Sequence, residues 1–267
     1  MQRLILPVLL SAMAYTEASA QIETTDSAEA RGFEIAEEAD RRDRGFDSSE
    51  TEILMRLISD DGRINERRLT WQILENPDPE DGDKSLTLFH EPRDIAGTAF
   101  LTHTHISDED DQWLYLPALK RVKRIASANR TSAFMGSELA YEDLLSDEVE
   151  KFSYRWLRDE ACGDETCFVL EREPRYEDSG YSRQVLWMDQ SENRVHRIDY
   201  YDLDGELEKT LTLNDYRLYL DSYWRAHGYL MENHQTGKRT ALAFGPYEFQ
   251  TGLTEQDLDP SALRRLR

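Results

Sequence analysis

The sequence predicts a mainly β fold, an antiparallel meander curled into a half-barrel, with a few helices as covers. Three observations carry this reading. Apolar residues change their period from 3.6 to 2 near Thr51, turn dipeptides recur between the alternating runs, and helical periodicity is confined to a few places. A long antiparallel sheet must bury one face. With so few helices to lay against it, the sheet must curl on itself and use them as lids or plugs.

The chain opens with a segment that does not belong to that fold. Arg3 supplies a positive start, Leu4 to Ala14 forms a short apolar core, and Ala18-Ser19-Ala20 offers a small-x-small cleavage site. That order reads as a signal peptide over residues 1–20, cut between Ala20 and Gln21. The apolar run is too short to cross a bilayer, which takes roughly 20 residues. No Cys follows it to carry a lipid anchor, and no Arg-Arg pair marks the twin-arginine route. The expected product is an exported, soluble chain with no membrane span. Residues 21–267 show no linker, low-complexity tract or internal repeat, so one domain is expected.

A first helix is expected from Asp26 to Gly45. Asp26 and Glu29 make a capping-box pair, Phe33, Ala36 and Ala39 recur at helical spacing, and Arg41, Arg42 and Arg44 precede Gly45. Then the strands begin. Ile53, Met55 and Leu57 alternate, followed by Leu69, Trp71 and Ile73, then Leu86 and Leu88. Trp113 with Tyr115 and Phe152 with Tyr154 and Trp156 continue the pattern. Val185 with Trp187, Leu211 with Leu213, and segments around Tyr229 and Arg239 to Phe244 complete roughly ten strands. Asp61-Gly62, Asp81-Gly82, Asp204-Gly205 and Thr236-Gly237 supply hairpin turns. Three segments interrupt the meander: a loop at Glu91 to Gly97, a polar stretch at Ser127 to Ser146 leading into a short helix, and a closing turn at Asp259-Pro260.

Charge limits the partners. The net charge of -22 argues against nucleic acid and against unassisted docking on anionic membranes. Cys162 and Cys167, spaced C-x4-C, read as a disulfide staple at a hairpin tip in an oxidising compartment. His103 and His105 have the spacing of metal pairs. No further ligand is placed beside them, so no metal and no cofactor is expected. Asp108 to Asp111 reads as a solvated acidic loop. No nucleophile elbow, zinc-protease helix, P-loop or dinucleotide fingerprint is present, and the chain reads as a non-enzyme.

The most distinctive segment runs from Trp113 to Leu144. It holds L-Y-L-P at Leu114 to Pro117, K-R-V-K-R-I at Lys120 to Ile125, and F-M-G-S running to Y-E-D-L at Phe134 to Leu144. This segment resembles the outer-membrane lipoprotein-sorting proteins of the LolA-like superfamily, in the subgroup associated with RND/MMPL-type exporters. The resemblance implies an incomplete β-barrel with a helical lid, whose concave apolar face shields lipid or lipoprotein acyl chains in the periplasm. It also implies an inner-membrane exporter as partner. The C-x4-C hairpin and the strand histidines depart from the family pattern.

For such a carrier the expected cavity residues are Trp71, Trp113, Tyr115, Phe134, Met135 and Phe152. The basic run Lys120, Arg121, Lys123, Arg124 and Arg130 has three readings. It pins the insert by pairing with Glu142, Asp143 and Asp147, it grips a phosphate head group at the cavity rim, or it docks a partner protein. Two other functions stay open: an exporter adaptor whose cavity is filled by its own side chains, and an enzyme acting on envelope lipids.

Overall fold

Turn chemistry sets the path of this chain. The computed structural model describes residues 13–78, 81–146 and 148–265, with side chains from residue 26 onward. The expected leader falls largely on residues 1–12, outside the described residues. Helix α1 spans Met13–Asp43, so it passes through Asp26, and Asp26 is not its N-cap. The helix is therefore longer than the capping signal suggests, because Ala18, Ala20 and the residues between Met13 and Asp26 are themselves compatible with a helix. Its end falls where expected, with Arg41 and Arg42 in the last turn and Gly45 at a φ of 99°.

Six strands follow: β1 (Ser48–Ile58), β2 (Ile64–Leu74), β3 (Lys84–Glu91), β4 (Ala99–His103), β5 (Asp111–Leu116) and β6 (Arg121–Ile125). After the insert of residues 126–151 come β7 (Phe152–Cys162), β8 (Glu165–Pro174), β9 (Arg183–Asp189) and β10 (Val195–Tyr201). The chain then forms β11 (Leu207–Tyr219), β12 (Tyr223–Asn233), β13 (Arg239–Phe244) and the short β14 (Glu248–Phe249). Four more strands are present than the roughly ten expected. β6 was masked by its charge, since Arg121, Lys123 and Arg124 read as a basic run. β14 is only two residues long.

All fourteen strands belong to one open antiparallel sheet, with β14 paired to β1 beside the main path. Two meanders meet in the middle. The first wing runs from β6 back to β1, the second from β13 back to β7, and β1 pairs with β13, Ile53 opposite Phe244. The sheet does not close into a barrel, so the half-barrel expectation stands in its open form.

This topology fixes the route of the insert. β6 and β7 lie at opposite ends of the sheet, so residues 126–151 must cross from one edge to the other. They cross over the concave side, where Phe134 and Leu139 join the main core. The short helix expected here is absent. The insert forms 3-10 turns at Ser127–Asn129, Phe134–Gly136, Glu142–Leu144 and Val149–Lys151. Met135 and Gly136 have φ of 50° and 76°, and Ala133 bridges to Ala140, which folds the chain back on itself. Two successive left-handed residues end any α-helix. The only α-helix among the described residues is therefore α1, which lies against β7. Gly32 makes that approach possible: a Cβ there would stand 2.7 Å from the Trp156 backbone nitrogen.

A second, smaller core lies on the convex side. Leu258 and Leu263 of the C-terminal segment cover Leu74, Leu86, Leu101 and Tyr115 of the first wing. The closing turn forms two residues later than Asp259-Pro260 suggests, as a 3-10 turn at Ala262–Arg264 with Ser261 at its N-cap position, whose N–H donates to Asp259 Oδ1 at 2.7 Å. Cys162 and Cys167 are joined by a disulfide at the β7–β8 hairpin, their Cα atoms 5.8 Å apart.

Candidate functional site: an apolar hollow under the insert

The concave face is not filled. Between the sheet, α1 and the insert lies a hollow of about 1400 Å³, larger than the roughly 300–1000 Å³ of ordinary ligand pockets. Strand alternation builds its walls. Leu170, Leu186, Ile198, Leu211 and Leu213 come from β8 to β11; register places the first four opposite one another across the second wing and Leu213 opposite Tyr229 of β12. Ile53, Met55, Trp71, Tyr229, Leu242 and Phe244 form the centre, with Phe134, Leu139 and Leu144 above and Ala36 and Ala39 of α1 beside them.

Three of the expected cavity residues are at this site. Trp71 is half-buried and packs against Phe244, ring centroids 6.2 Å apart. Phe134 is buried and borders the hollow while its ring contacts Phe89 and Phe100 at 5.8 and 5.1 Å. Phe152 borders it too, with the Arg172 guanidinium 4.2 Å from its ring centre. The other three are elsewhere. Trp113 and Tyr115 belong to the convex core, because Leu114, between them, is the residue of β5 that faces the main core. A choice of face that is one residue off reverses every side chain in a strand. Met135 packs against the main core outside the hollow, and its carbonyl accepts a hydrogen bond from Arg67 Nη1 at 2.6 Å.

None of the basic-run residues Lys120, Arg121, Lys123, Arg124 and Arg130 lines the hollow. Four of them are exposed on or just before β6, at the sheet's edge, and Arg124 pairs there with Asp111. Arg130 is buried and donates through Nη2 to the Asp110 carbonyl at 2.7 Å. Arg130 thus ties the start of the insert to Asp110, and groups outside the basic run pin the rest. Lys209 of β11 bonds Asp143 at 2.8 Å, both side chains being almost fully buried, and Tyr181 donates to the same carboxylate at 2.8 Å. Glu142 accepts from the Gly180 N–H at 2.9 Å and from Ser179 at 3.0 Å. Asp110 is likewise no solvated loop residue. It is buried against Lys151 and accepts from the His105 N–H at 2.9 Å. Sequence could not flag Lys209, since a single lysine in a strand ordinarily faces water.

The mouth carries mixed charge. Arg44 of the α1 terminus sits 2.7 Å from Asp40 and 3.7 Å from Glu148, Arg42 reaches Glu192 at 3.4 Å, and Arg225 pairs with Asp43. Burial pushes the Glu148 carboxyl up to about 7, helped by the Asp83 charge. Burial likewise raises Asp83 to about 6. The site thus combines a greasy interior with a polar, partly protonated rim.

The histidines are engaged locally. His103 Nε2 hydrogen-bonds the Leu258 carbonyl at 2.7 Å, and His105, beyond the end of β4, meets Asp81 at 2.7 Å. Among the described residues no group of three or more His, Cys, Asp or Glu could hold a metal ion.

An open antiparallel sheet with one covering helix and a chain-crossed concave face defines the LolA-like class of fold. A family model described as "Uncharacterized protein" matches residues 81–265. A domain from Vibrio parahaemolyticus, provisionally named as an outer membrane lipoprotein-sorting protein, is 48% identical, with a TM-score of 0.86. The match covers 89% of this chain and 100% of that one. A DUF1329 family protein from Desulfovibrio piger is 28% identical over 88% of this chain and 99% of its own, with a TM-score of 0.83. A LolA superfamily protein from Nitrosomonas europaea shares the fold, at 22% identity and a TM-score of 0.67, over 85% of this chain and 96% of that one. No curated protein matches. The chain belongs to the DUF1329 family and has a LolA-like fold.

Proposed function

We propose that this protein is a periplasmic carrier that shields acyl chains of a lipid or lipoprotein in the hollow, and that it serves an RND/MMPL-type exporter. The observation that carries the reading is the hollow itself: about 1400 Å³ bounded by leucine, isoleucine, methionine and aromatic side chains, which the protein's own residues do not fill. Each methylene moved from water into such a space is worth about 0.8 kcal/mol, so one acyl chain is worth on the order of 10 kcal/mol. That is enough to draw a lipid tail from water while leaving exchange with a membrane close to balanced. No bond is made or broken in this mechanism. Among the described residues no helix is long and apolar enough to cross a membrane. The leader-like start of the sequence and the kinship with a protein named for lipoprotein sorting support the periplasmic setting and the cargo class.

Native mass spectrometry of the protein purified from its own envelope tests the reading. The expected result is co-purified lipid, lost when Leu186→Trp and Leu211→Trp fill the hollow while cooperative unfolding persists. A lipid-free protein that also takes up no fatty acid or phospholipid from vesicles would overturn it.

A further inference from the structure

The two ends of the sheet are finished differently. β7 is backed closely by α1 at Gly32. β6 ends the other side and, among the described residues, pairs with β5 alone. Arg121, Lys123 and Arg124 on β6 are exposed, as is Lys120 just before it, and Leu119 precedes them at 63% exposure. The cross-strand neighbours of Arg121, Val122 and Lys123 are Leu116, Tyr115 and Leu114, none of them acidic. Only Arg124 has a carboxylate, Asp111. Among the described residues no ion pair involves Lys120, Arg121 or Lys123. Other exposed arginines in this chain of 54 acidic and 32 basic residues, such as Arg56, Arg63, Arg68, Arg158 and Arg217, sit against carboxylates. Exposed Arg93, Lys238 and Arg239 are scattered cations without an ion pair among the described residues; β6 differs in gathering several such cations on one strand.

Charged residues on an edge strand often serve only to prevent edge-to-edge pairing. That duty accounts for cations on the strand but not for the exposed apolar Leu119 beside them. We propose that β6 is a docking edge for an acidic, extended segment of a partner protein, which adds to the sheet as a further strand. The open edge supplies backbone hydrogen bonds, as in other strand-addition complexes. Register places Arg121 and Lys123 on the face of Leu116 and Leu114, and Arg124 on the face of Trp113. Carboxylates on both faces of an incoming strand would therefore find cations, with Leu119 as an apolar anchor. An anionic bilayer could also cover these charges, but it makes no use of the unpaired backbone. The inference is independent of what fills the hollow.

The probe is a fluorescent peptide of alternating Glu and Val, presented to the full chain, with a Lys-for-Glu peptide and a backbone N-methylated Glu peptide as controls. The expected result is binding of the Glu peptide with slowed amide exchange at residues 121–125. Arg121→Glu with Lys123→Glu should weaken it by about tenfold or more, as should raised salt. Arg121→Gln with Lys123→Gln should give a smaller loss in the same direction, and thermal unfolding checks that both variants fold. No protection at β6, or equal binding of the N-methylated peptide, overturns the proposal. Charge-dependent binding of phosphatidylglycerol vesicles by a chain that ignores the Glu peptide also overturns it, in favour of a membrane surface. Lipid content measured alongside is expected to be unchanged, which separates this outcome from that of the carrier reading.

Discussion

On the first wing of the sheet, Phe134 of the insert sits against Phe89, Phe100 and Tyr141, and the C-terminal Leu258 and Leu263 cover the opposite face. On the second wing, Leu170, Leu186, Ile198, Leu211 and Leu213 alternate just as regularly, yet they face the open hollow. The same period-2 pattern thus serves two ends. Where the crossing chain contributes an aromatic plug, the wing becomes core. Where the insert passes over without a plug, the wing becomes a wall. Interiors are normally close-packed, and that sets this wall apart from the plugged wing.

Mutations can break or sharpen that contrast. The largest effect is expected for Phe134→Ala, which removes a fully enclosed ring and should cost about 4 kcal/mol in denaturant unfolding. Leu213→Ala, on the wall, should cost about 2 kcal/mol, because one side of that leucine already lacks neighbours. Equal losses would mean that the wings are packed alike. Next comes the buried pin. Asp143→Asn leaves Lys209 without its counter-charge and should cost about 3 kcal/mol in the same measurement. A loss of a few tenths would show that the insert is held by packing alone.

A smaller effect belongs to the mouth. Glu148 is held near 7 against an ordinary 4.5, so the folded state binds its proton more tightly than the unfolded state does. Stability from this group is therefore greatest at low pH and falls as pH rises from about 4.5 to 7. Asp83, raised to about 6, adds to the same trend. Glu148→Gln should flatten that part of the stability–pH curve, and an unchanged slope would remove Glu148 from the account. The smallest effect is expected for Cys162→Ser with Cys167→Ser. The disulfide closes a short loop within an already paired hairpin, and its loss should cost about 1 kcal/mol with the hollow intact.

That Trp71 and Phe152 point inward was legible because each lies on the inward phase of a strand beside other apolar residues. Trp113 and Tyr115 were not, although their strand was plain. Alternation shows that a strand has two faces, and here both faces of the first wing are covered, so apolarity could not tell inside from outside. The basic run was legible as a unit but misplaced, because the edge on which it lies follows from strand order alone.

By itself the sequence determined the class of fold: the change to period 2, the glycine turns and the scarcity of helix dictate an open antiparallel meander, since those are local properties of the backbone and its neighbours. It also determined the closing staple and the kinship carried by residues 113–144. Only the tertiary structure decided where the hollow lies, that Lys209 holds Asp143 of the insert while of the basic run only Arg130 helps to pin it, and that β6 is an exposed edge. Those facts depend on which strands meet across the fold and on how much volume remains between them, and neither is encoded in any single stretch of chain.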